Sequence, residues 1–83
     1  QFILLDYILK AARTLDIERK KLIIIRKTRQ ELYEECGITV KTLNRTIKKL
    51  KEDGLISIQK GKIAMSLEQF RLGRKRIHHY VDN

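Results

Sequence analysis

One cysteine, Cys36, stands in 83 residues, so no internal disulfide can supplement the core, and a single thiol fits a reducing, cytoplasmic setting better than a secreted one. Long apolar runs are also missing. The longest are Phe2 to Leu5 and Leu22 to Ile25, far short of the roughly 20 residues that span a bilayer, which excludes a transmembrane helix. No secretory signal is visible, and the chain opens on Gln1 rather than Met. We therefore read it as one domain, residues 1–83, excised from a longer protein. Acidic residues are scarce: 10 Asp and Glu face 19 Lys and Arg, leaving a net charge of +9 and a pI near 10.0. Such a field concentrates polyanions, whether nucleic acid, an anionic membrane face or an acidic protein. At 42% apolar and 35% charged, the composition is that of a folded domain, not a disordered tail.

Periodicity supplies the elements. Gln1 to about Leu15 carries no Gly or Pro, and its apolar positions 2, 5, 8, 9, 12 and 15 predict a helix with a wide buried stripe. Asp16 to Lys21 reads as a charged connector, and the β-branched Leu22 to Ile25 as one buried strand. Thr28-Arg29-Gln30-Glu31 matches a capping box that opens a second helix. Leu32 and Cys36 face inward on it, and Gly37 permits the left-handed turn that stops it. Thr39 can cap a third helix with Leu43, Ile47 and Leu50 inward, ended by Asp53–Gly54. Leu55 to Gln59 and Lys62 to Ser66 predict a hairpin about Lys60–Gly61. A last helix starts after Ser66, with the basic run Arg71 to Arg76 and the tail His78 to Asn83 following it.

Helix, strand, helix, tight turn, helix and two-stranded wing is the order of a winged helix-turn-helix, an α+β class that is mainly helical. Two short helices joined by a Gly-containing turn form the supersecondary unit whose second helix enters the DNA major groove. The third helix suits that task. From Thr39 to Lys51 it holds Lys41, Arg45, Lys48, Lys49 and Lys51 and no acid, with Asn44 and Thr42 as neutral hydrogen-bonding groups. Lys and Arg neutralise phosphate, Arg holds guanine through two hydrogen bonds, and Asn can hold adenine. The preceding helix instead carries Glu31, Glu34 and Glu35, which would repel DNA if they faced it.

At these residues a family comes into view. Thr28 to Leu32, Gly37 to Arg45 and Leu50 to Ile56 resemble the C-terminal DNA-binding domain of the Crp/Fnr transcription regulators, a likeness covering about residues 22 to 67. The resemblance implies base reading by Val40, Lys41, Asn44 and Arg45, and phosphate contacts at Thr28, Arg29, Gln30, Thr39 and Thr42. Lys48 and Lys49 on the helix, and Lys60 and Lys62 on the hairpin, add phosphate-binding cations. Lys41 stands where that family usually has an acid. An acid accepts from cytosine N4, whereas Lys donates to guanine or phosphate, so the usual Crp-type or Fnr-type half-site is not to be assumed.

The family also implies a sequence-specific, cytoplasmic regulator of transcription that binds double-stranded DNA as a homodimer, paired through a sensor region upstream of Gln1. Two other readings share the chemistry: a plasmid or phage replication initiator, and a protein-interaction winged helix whose basic face docks an acidic partner. Phe2 to Leu9 keeps the last one open, as an apolar stretch available for pairing. His78–His79 lacks the further ligands a zinc site needs, and neither a cofactor nor an enzymatic constellation is expected. Cys36 reads as core packing, and Phe2, Tyr7, Tyr33 and Phe70 as core or core edge.

Overall fold

The computed structural model describes the backbone of residues 2–81 and the side chains of residues 2–78. Helices α1 (Ile3–Thr14) and α2 (Ile17–Lys20) lead into strand β1 (Leu22–Ile25). Helices α3 (Arg29–Cys36) and α4 (Val40–Glu52), strands β2 (Ser57–Gln59) and β3 (Lys62–Ser66), and helix α5 (Leu67–Val81) follow. The three strands make one antiparallel sheet in the order β1-β3-β2. β2 and β3 form the wing, joined by Lys60 and Gly61, both at positive φ (51° and 78°). Two such residues set the primed turn whose twist suits a two-residue hairpin.

The core is apolar and largely aliphatic. Leu4, Leu5, Ile8, Leu9 and Ala12 of α1 meet Ile23 and Ile25 of β1, Leu32 of α3, Leu43, Ile47 and Leu50 of α4, Ile63 and Met65 of β3, and Phe70 of α5. No buried polar or charged residue interrupts it among the described residues. Helix α5 comes close to α1 at Gly73, where a Cβ would sit 3.1 Å from Leu9 Cδ2 and 3.4 Å from Leu5 Cδ1. A side chain there would press the helices apart.

Several expectations change. The connector is not irregular: Ile17–Lys20 forms one helical turn that buries Ile17, bracketed by Asp16 and Lys21 in the left-handed conformation (φ 63° and 66°). Asp tolerates that region better than most residues and Lys poorly, so the composition gave no hint of it. In α1, Leu4 joins the buried face, Phe2 is half-buried and Leu15 is 37% exposed, because the helix starts at Ile3 and stops at Thr14. Gln1 lies outside the described residues. The Phe2 to Leu9 stretch is therefore mostly core, with Ile3 its exposed large residue.

Leu55 and Ile56 are buried but not in the strand, since the Leu55 N–H donates to the Leu50 carbonyl and holds them at the helix end. The basic run Arg71 to Arg76 lies inside α5, which continues to Val81. Ser66 opens α5: its Oγ accepts from the Gln69 N–H while Gln69 Oε1 accepts from the Ser66 N–H. Tyr33 is exposed rather than at the core edge.

Candidate nucleic-acid interface

Both helices of the central pair start the same way. Thr28 has extended backbone and accepts from the Glu31 N–H at 3.1 Å, while Glu31 Oε1 accepts from the Thr28 N–H at 2.9 Å, a complete capping box. Those bonds hold the Glu31 carboxylate below its ordinary pKa, with Lys27 adding a smaller pull in the same direction. Thr39 Oγ1 accepts from the Thr42 N–H at 3.2 Å and donates to Thr42 Oγ1 at 3.0 Å. Between them Gly37 ends α3 at φ 69°, and its N–H donates to the Tyr33 carbonyl. An L side chain is strained at that φ, so glycine sets the tight turn.

The exposed surface of α4 is where the sequence places its cations. Leu43, Ile47 and Leu50 are buried, and Lys41, Asn44, Arg45, Lys48 and Lys49 are exposed. Lys41, Arg45 and Lys48 recur at helical spacing along one stripe, with Asn44 beside them. Among the described residues none of these three cations has an ion-pair partner. The first turn of α4 holds no acid, so its positive helix end is not neutralised locally. Val40, at the first helical position, is 46% exposed, an apolar contact surface beside the polar ones. The helix carries an acid only at its last residue, Glu52.

The expected phosphate contacts differ in how free they are. Thr28 and Gln30 are exposed at the start of α3, but Thr28 Oγ1 serves the cap and Gln30 Nε2 donates to Glu34 at 3.0 Å. Arg29 and Thr42 are half-buried, and Thr39 is exposed. Lys49 Nζ lies 3.4 Å from Asp53, which also takes a 2.8 Å bond from Arg76 of α5. Arg76 first, then Lys49, holds the Asp53 carboxyl below its usual range. Lys48 is the less encumbered of the neighbouring pair. On the wing, Lys60 is exposed at the tip and Lys62 half-buried.

The acids of α3 are all engaged. Besides Glu31 and Glu34, Glu35 accepts from the Tyr7 hydroxyl at 2.6 Å and from Lys27 Nζ at 2.9 Å. Both bonds lower the Glu35 pKa, Tyr7 contributing most, and the pairing raises Lys27. Burial raises the Tyr7 pKa, and Glu35 adds to the shift. This tie of α1 to α3 joins residues 28 positions apart, beyond any local pattern, and neither it nor the Arg76–Asp53 bond is foreseen by spacing. Cys36 is half-buried against the core, its thiol pKa raised by burial and then by Glu35.

Residues 4–69 match the family model of the Crp-like helix-turn-helix domain, a longer span than the sequence motifs alone suggested. Comparison with curated proteins and with solved structures returned no match. A capped, cation-faced second helix after a glycine turn, followed by an antiparallel wing, is the architecture that match implies. The chain thus belongs to the Crp-like helix-turn-helix family of DNA-binding domains of transcription regulators.

Proposed function

We propose that the domain binds double-stranded DNA sequence-specifically, with α4 in the major groove. The observation that carries this reading is the α4 stripe of Lys41, Arg45 and Lys48 with Asn44 beside it, its cations exposed and without ion pairs among the described residues. Arg45 offers two parallel donors to guanine O6 and N7, and Asn44 a donor and an acceptor to adenine. Val40 and Lys41 complete the base-reading set one turn earlier. Thr28, Arg29, Gln30, Thr39, Thr42, Lys48, Lys49, Lys60 and Lys62 hold the phosphates on either side and set the register. Upstream residues pair two copies in the cytoplasm, spacing two recognition helices about one DNA turn apart on a near-palindrome.

Selection of bound duplexes from a random pool tests the reading. A recurring short motif is expected, together with binding that weakens steeply as salt rises, by about 0.9 log unit per log unit of salt for each phosphate neutralised. A pool that stays random, or an affinity flat with salt, contradicts it.

A further inference from the structure

A second surface lies along β1, at the sheet edge opposite the wing strand β2. A groove of about 810 Å³ runs beside it. All four β1 residues line this groove and no β3 residue does, which puts it on the unpaired side of the strand. Helix α1 and its C-cap form one wall through Ala11, Thr14 and Leu15, and α3 the other through Glu31 and Glu35. The Leu67 N–H donates to the Lys21 carbonyl, and β1 continues that pairing with β3 in register. Antiparallel alternation then aims the backbone groups of Ile23 and Ile25 at β3 and those of Leu22 and Ile24 at the groove.

Such an edge is a template for another strand. Its side chains are suited to an apolar occupant, since Leu22 is 44% exposed and Leu15 37% exposed. The charges choose among occupants. Lys20 and Arg26, at the two ends of the strand, both line the groove and are exposed. Among the described residues neither has an ion-pair partner. The two groove acids are already held, Glu31 by the cap and Glu35 by Tyr7 and Lys27. A second copy of β1 pairing antiparallel through Leu22 and Ile24 would set Lys20 of each copy beside Arg26 of the other, like charges opposed at both ends. Self-pairing is thereby disfavoured, and an extended segment with acids at both ends is favoured.

We propose that the β1 edge docks an extended peptide of another protein, apolar at alternate central positions and acidic at its ends. The peptide adds a fourth strand to the sheet. Its backbone bonds Leu22 and Ile24, its apolar side chains cover Leu15 and Leu22, and its acids meet Lys20 and Arg26. This surface is separate from the exposed face of α4, so the proposal holds whether or not α4 reads bases.

The probe is a blocked peptide, Asp-Glu-Val-Thr-Ile-Thr-Glu-Asp, titrated into the labelled protein and followed by backbone amide shifts. The expected result is saturable shifts centred on Leu22 to Ile25, weakened roughly tenfold or more by N-methylating the two central residues, which removes strand bonds but not charge. Leu22→Glu, at an exposed position, is expected to weaken the peptide similarly while leaving affinity for a duplex unchanged. Equal binding by the N-methylated peptide, shifts centred on α4, displacement of the peptide by duplex, or no shift at millimolar peptide each overturns the proposal. So does a dimer formed through β1 in sedimentation.

Discussion

Helices α3 and α4 begin alike and use their charge differently. Each follows a threonine cap in extended backbone, and each packs on the same core, α3 through Leu32 and α4 through Leu43, Ile47 and Leu50. Yet every glutamate of α3 is bonded within the domain, while Lys41, Arg45 and Lys48 of α4 have no ion-pair partner among the described residues. A charge with an internal partner fixes the fold, whereas a charge without one remains available to a ligand. The net charge of +9 is thus less informative than which cations remain uncompensated.

The comparison breaks most forcefully in the core. Leu32 in α3 and Leu43 in α4 are both fully buried. Changing either to Ala is expected to cost about 2–5 kcal/mol by urea unfolding. A small loss for one and a large loss for the other would show that the helices are not a single packed unit.

The caps come next. Thr28→Ala and Thr39→Ala should each cost about 1 kcal/mol in unfolding free energy, since each leaves a helix-end N–H without its acceptor. If these two losses differ by much more than that, the two starts are not equivalent.

Charge availability sharpens the contrast further. Lys48→Ala should lower the slope of log affinity against log salt by about 0.9, the contribution of one phosphate. Lys49→Ala should lower it less, because Asp53 already holds that ammonium. Fluorescence anisotropy over a salt series reads both, and equal slopes would refute the distinction.

The smallest effect is the pH dependence of the carboxylate bonds. Glu31, Glu35 and Asp53 have lowered carboxyl pKa values in the folded domain. Their contribution is therefore complete above the ordinary carboxylate range, about pH 4 to 4.5, and is lost as pH falls through the lowered values. Lys27 is raised, so its share persists through neutral pH and fades only as pH rises through that higher value. Thermal melts should show Glu35→Gln flattening the acid limb. An unchanged limb would remove that bond from the stability account.

How far the sequence reads is itself uneven across these regions. The capping box, Gly37, the inward Leu43, Ile47 and Leu50 and the hairpin were legible because each is local, a matter of neighbours within one turn. The α4 cations were legible for the same reason. The short α2 was not, since Ile17 alone pulls a charged connector inward between two left-handed residues. Nor were the Tyr7–Glu35–Lys27 tie, the Arg76–Asp53 bond or the open β1 edge, which depend on where distant elements meet.

The claim that the uncompensated face of α4 reads bases is tested most directly at Arg45. Affinity of Arg45→Ala and of the parent domain is measured, at one salt concentration, on a selected duplex and on a random one. A loss of roughly 1–3 kcal/mol is expected on the selected duplex and a much smaller loss on the random one. Equal losses on both would make Arg45 a phosphate contact and contradict the claim.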